Sequence, residues 1–150
     1  MRDLDAFYAV IAARQGLAFS WVKGRCCASH MAAAVEAQTG VDVLEGLTWR
    51  TRREAVAVIN SLGGLEAAMD ARFDRIAPAM AKRGDIAGIA DRLLGVQLAV
   101  VDGAVLTAPG DYGLEHVGRE AMIIAWDAET ARVPTGPAAS ANALAQANRR

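Results

Sequence analysis

Cysteine is scarce here. The 150-residue chain holds two, Cys26 and Cys27, and they are adjacent. A vicinal bridge would strain the backbone and close almost no loop, so a disulfide framework is excluded and two free thiols in a reducing compartment are expected. Histidine is as rare, with only His30 and His116, so any imidazole chemistry has two candidates. There is no Cys-x-x-Cys, and adjacent cysteines rarely hold one ion, which leaves Cys26, Cys27, His30 and His116 with the residue types of a zinc site but not its spacing. The glycine pairs form no phosphate loop. No metal or cofactor is expected.

Excess charge is missing too. Sixteen Lys and Arg against 17 Asp and Glu leave a formal net charge of −1, too little field to draw nucleic acid or an anionic membrane. No apolar run approaches the ~18 residues of a membrane span. The opening Met1-Arg2-Asp3-Leu4-Asp5 has acids where an export signal would be basic and then apolar, so no signal peptide is expected.

What remains is an ordinary globular composition. Hydrophobic residues make up 53%, much of it alanine, and a chain of this length buries roughly 70% of its unfolded surface as one domain. That domain is expected over residues 1–133, with 134–150, rich in Ala, Asn and Gln around a single bulky Leu144, as a flexible or partner-bound tail.

Periodicity divides the domain in two. Leu4, Phe7, Tyr8, Val10 and Ile11 recur at helical spacing behind Asp3, predicting a helix over 4–15. Cys27 to Gln38 reads as a second helix, with Met31, Ala34 and Val35 on one face and Gly40 as its stop. Thr51 caps a third, running to Leu62 and closed by Gly63-Gly64. Leu65–Arg72 is a short amphipathic fourth, and Ile76–Met80 reads as a further packed apolar stretch. Beyond Gly84 the pattern turns strand-like over 85–89, 97–102, 105–108 and 122–126, joined by glycine turns. Helices first and sheet second predict an α+β domain with an antiparallel meander or small half-barrel.

The thiols fall at the start of the second helix, where the open N–H groups and helix dipole favour a thiolate, with Lys23 and Arg25 nearby. A nucleophilic cysteine also needs a base within hydrogen-bond reach. His30 sits on the same helix, three residues past Cys27, and is a poor one. His116, in or before the last strand, is the other. The plainer reading is that the pair are two small buried hydrophobes.

Phe19-Ser20-Trp21, Cys27 with Val35–Asp42, then 50–56, Ala81–Ile86, Leu98–Gly103 and Ala125-Trp126 follow one another in an order and spacing that resembles the NlpC-type cell-wall peptidases. These are papain-like cysteine hydrolases, and the likeness is greatest to a phage- and prophage-associated branch, from about Phe19 to Trp126. The resemblance implies a papain-like α+β fold. Counted back from Gly40, the family's nucleophile falls on Cys27, and counted forward from Trp21, on Cys26. Cys27 is preferred, because that register turns Met31 and Val35 toward the sheet and leaves Cys26 where the family has an aspartate. Asp85 matches the acid that opens a strand in the family, a mostly structural role. Gln97 stands where active members resemble His-Val-Gly-Ile-Tyr, in the position of the catalytic histidine. Glutamine cannot take a thiol proton, and losing such a base costs about 10² to 10⁴ in rate.

The expectation is a degenerate, inactive cysteine peptidase that serves as a structural or assembly protein of a phage or prophage tail, in the tail-tip or baseplate region. It would be assembled in the host cytoplasm and partnered by other tail or virion proteins. The alternative is an active hydrolase that cuts peptidoglycan peptide or amide bonds during infection, with Cys27 as nucleophile, His116 as base and peptidoglycan as partner.

Overall fold

The computed structural model describes residues 2–135. It is an α+β arrangement of four helices and six antiparallel strands. Helix α1 (Leu4–Arg14) begins where the Asp3 carboxylate accepts from the Ala6 N–H, and it buries Phe7 and Ile11. Helix α2 (Cys27–Thr39) ends at Gly40, whose φ of 78° supplies the left-handed turn that releases the chain. Helix α3 (Arg52–Ser61) is capped by Thr51, which accepts from the Glu54 N–H. Helix α4 (Leu65–Arg72) follows Gly63 and Gly64, both at positive φ. Among the described residues no helix is long and apolar enough to cross a membrane.

The strands are β1 (Arg75–Ile76), β2 (Ile86–Asp91), β3 (Gly95–Asp102), β4 (Val105–Gly110), β5 (Gly113–Gly118) and β6 (Met122–Trp126). Their order in the sheet is β1-β6-β2-β3-β4-β5. β2, β3 and β4 form the first three strands of the expected meander, but the strand that continues it is β5, and β6, expected as its fourth strand, crosses back to lie between β1 and β2.

Two strands went unread. β5 pairs along β4 from Val105↔Gly118 to Gly110↔Gly113, but it is an edge whose residues are mostly exposed, so no apolar alternation marks it. β1 has two residues, too few for any period. The stretch Ile76–Met80 is likewise not a packed apolar segment. It is the end of β1 and one 3₁₀ turn, with Met80 72% exposed. Of the expected tail, Pro134 and Thr135 are described, and residues 136–150 lie outside the described residues.

Alternation along β3 sorts the core. Val96 and Leu98 join the main cluster beneath α2, α3 and α4, and Val100 joins Phe7, Ile11 and Ala34 beneath α1. Ala99 and Val101 face the other way, into a thin cluster made mainly of sheet residues. Asp85 anchors the start of β2. Its carboxylate, 1% exposed, accepts from the Lys82 N–H at 2.8 Å and the Ala128 N–H at 3.0 Å and pairs with Arg2.

Candidate functional site

The loop before α2 is built to present its first turn. Gly24, at φ 106°, turns the chain. The loop is tied down by the Phe19 N–H donating to the Gly110 carbonyl at 2.8 Å and by Arg14 donating to the Gly24 carbonyl at 2.9 Å. The Lys23 ammonium donates to the carbonyls of Leu44 and Leu47, and Arg25 donates to the Ala18 carbonyl. These two cations are thus spent on backbone carbonyls. Phe19 and Trp21 meet edge to face, 5.3 Å between centroids. Cys26 is the N-cap residue but makes no side-chain cap bond. Its sulfur lies 3.4 Å from the Ser29 hydroxyl, which also accepts from the Gly24 N–H at 2.7 Å.

Cys27 faces a cavity of about 350 Å³ between α2, the 44–49 segment, α3, α4 and β3. Its walls are chiefly apolar, Met31, Leu47, Val58, Leu65, Met69 and Leu98 among them. Both cysteines border it and both are free thiols. Burial pushes the Cys27 thiol up to about 11, against N–H groups of Leu98 and Ala28 that donate to its sulfur and pull the other way, while Cys26 and Asp91 add to the rise. The helix N-terminus would favour a thiolate. Desolvation outweighs it, and the thiol is protonated at neutral pH.

No imidazole offsets this. His30 is fully buried with both ring nitrogens engaged. Arg14 donates from Nε to Nδ1 at 3.1 Å, and Nε2 lies 3.0 Å from the Thr107 hydroxyl. Since Nδ1 accepts, the proton of the neutral ring is on Nε2, which donates to Thr107. Burial and the neighbouring Arg14 guanidinium pull His30 down to about 4. Burial also lowers Arg14, partly offset by Cys26. His30 is therefore a neutral strut joining α1, α2 and β4.

His116 is an exposed residue of the edge strand β5, opposite Thr107 in register. It is not in the cavity wall, although its neighbour Glu115 is. The structure thus brings Cys26, Cys27 and Gln97 to one cavity and leaves His116 outside it. Gln97 borders the cavity, yet it pairs with Ile89, and alternation sends its side chain to the face opposite that of Leu98. The residue presented to Cys27 is Leu98, fully buried and donating its backbone N–H to the sulfur.

Sequence reasoning missed three residues around these thiols. Arg14 and Thr107 fix His30 from 16 and 77 positions away, and no local pattern announces such partners. Trp49 lines the cavity, 7% exposed, and its indole N–H has no acceptor among the described residues. A tryptophan between two turn segments was the available signal. Among the described residues no group of three or more His, Cys, Asp or Glu could hold a metal ion.

Fold and site together define an α+β domain with a protonated thiol at a helix start, bordering a chiefly apolar cavity that neither histidine lines. Residues 2–128 match the family described as Domain of unknown function (DUF6950), and the chain belongs to that family. Neither a curated protein nor a solved structure matches it.

Proposed function

We propose that this protein is a non-catalytic domain on a papain-like, NlpC-type frame, and that it serves as a structural or assembly component of a phage or prophage tail. The observation that carries the first half is the environment of Cys27. Its thiol, on a half-buried residue at the edge of a chiefly apolar cavity, is pushed up to about 11 by burial, and neither histidine lines that cavity. A cysteine hydrolase needs the opposite arrangement, an activated thiol within reach of a base. The order of helix-borne thiol, Gly-Asp strand start and antiparallel sheet supports the frame. The tail assignment rests on the sequence resemblance to a phage-associated branch.

Two measurements test the two halves. Iodoacetamide alkylation at pH 6, followed by mass spectrometry, is expected to modify Cys27 more slowly than an unstructured peptide cysteine. Faster modification overturns the non-catalytic reading. Proteomics of tail particles purified from the host that encodes the chain is expected to find it at stoichiometric or minor structural abundance. Its absence from particles and from assembly intermediates overturns the tail reading.

A further inference from the structure

The two edges of the sheet are finished differently. At one edge β1 has two residues and runs into Pro78, a blunt end that offers little backbone to another chain. At the other, β5 runs for six residues without lysine or proline, in unbroken register with β4. Glu115, His116 and Val117 are all exposed. Val117 is an apolar side chain 39% open to solvent, opposite Leu106 on the sheet face turned away from the helices.

One bond sets the backbone directions along this edge. The Leu114 N–H donates to the Gln15 carbonyl at 2.9 Å, so it points away from β4. By the two-residue repeat of an antiparallel strand, the N–H and C=O groups of His116 and Gly118 point the same way. Among the described residues nothing pairs with them. At Arg119 the chain turns back, its N–H donating to the Ala104 carbonyl at 3.2 Å. The open edge is therefore the stretch from His116 to Gly118, bounded by Gln15 at one end and by the turn at Arg119 at the other.

We infer that this edge is the interface of a two-fold dimer, in which β5 of a second copy lies antiparallel along it. The register follows from which groups are free. Pairing Leu114 with His116 or Gly118 of the second copy needs a Leu114 N–H that Gln15 already holds, and sets Glu115 against its own mate or against Val117. Pairing His116 with Gly118 of the second copy uses free groups alone. Val117 then meets its own mate on the two-fold axis as a non-hydrogen-bonded pair, where cross-strand side chains come closest. The charges are complementary in this register. The Glu120 carboxylate occupies the place where a Gly118 side chain would begin, and His116 of the second copy comes to lie beside it. Glu115 comes to lie opposite Arg119 of the second copy. The overlap is short, so association is weak and concentration-dependent. This surface is independent of the tail assignment and of the thiol: a monomer leaves both readings intact, and their failure does not touch this one.

The test uses the full chain. Sedimentation equilibrium under reducing conditions is expected to show a mass that rises with concentration from that of one chain toward that of two. Val117→Lys sets like charges against each other on the axis and is expected to weaken association by about tenfold or more, with the fold checked by circular dichroism. Should that variant fail to fold, Val117→Cys reads the register directly. Cα atoms of a non-hydrogen-bonded pair lie about 4.5 Å apart, within reach of a disulfide. Mild oxidation is therefore expected to join two copies through residue 117, located by mass spectrometry. The joining should be about tenfold or more faster than for Tyr112→Cys, a position 97% exposed but far from the axis. A one-chain mass at every concentration up to about 1 mM, undiminished association of folded Val117→Lys, or equal rates for the two cysteine variants each overturns the proposal.

Discussion

His30 and Thr107 meet across 77 positions of sequence, with Nε2 3.0 Å from Oγ1 in the buried interior. Because Arg14 donates to the other ring nitrogen, the bond has one available polarity, from imidazole to hydroxyl. Thr107→Val keeps the shape and removes the acceptor. It is expected to cost about 1–3 kcal/mol, the penalty for a buried donor left unpaired. An unchanged urea midpoint would refute this role.

The same ring makes stability fall in mild acid. His30 titrates at about 4 in the fold against an ordinary 6.5, so between those values the unfolded chain binds the extra proton. Its contribution is complete above about pH 6.5 and is lost as pH falls through 4. The loss is at most about 3 kcal/mol. Denaturation from pH 7 to pH 4 reads the slope, and His30→Gln should flatten it.

Cys27 moves the opposite way. Its folded pKa of about 11 lies above the ordinary 9.0, so its contribution is complete below pH 9 and is lost as pH rises through 11. Native alkylation at pH 8 should be at least about tenfold slower than for a short peptide. Denaturant should abolish the difference. Cys26→Ser removes the ambiguity of an adjacent thiol, and rapid native labelling of that variant would contradict the desolvated placement.

Asp85 carries two backbone N–H groups and the Arg2 guanidinium at a site closed to solvent. Asp85→Ala leaves all three donors without it and is expected to cost about 3–5 kcal/mol. The Arg2 side chain, 5% exposed, makes Arg2→Ala the matching test from the other partner. A loss below about 1 kcal/mol for Asp85→Ala would show that water replaces the carboxylate at little cost.

The helices were legible because their signals are local. Asp3 and Thr51 accept from the first turns they precede, and Gly40 turns left-handed where α2 ends. The strands were legible where one face is buried, as in β3, and not in β5, whose residues are mostly exposed. Around the thiols, the sequence placed Cys27 at a helix start, which the structure shares. It could not show what surrounds the sulfur. Whether a helix start activates a thiol depends on solvent, and that is decided by Leu98, Met31 and the α3–α4 walls brought in from elsewhere in the chain. Nor could counting along β3 tell Gln97 from Leu98 as the residue presented to Cys27, since a shift of one residue reverses the face.

The position of β6 sets an order of events during synthesis. Among the described residues Met122–Trp126 is the last strand to leave the ribosome, yet it lies between β1 and β2, and Trp126 pairs with both Arg75 and Ile86. Until it arrives, β2 has one partner and β1 none, and both offer open backbone edges. Nascent chains arrested before Met122 should therefore be protease-sensitive throughout, and those extended far enough to free Trp126 from the exit tunnel should become resistant in a single step. The sheet closes like an arch whose keystone is set last, and a chain cut before Met122 would lose the strand that joins β1 to β2 rather than trim an edge.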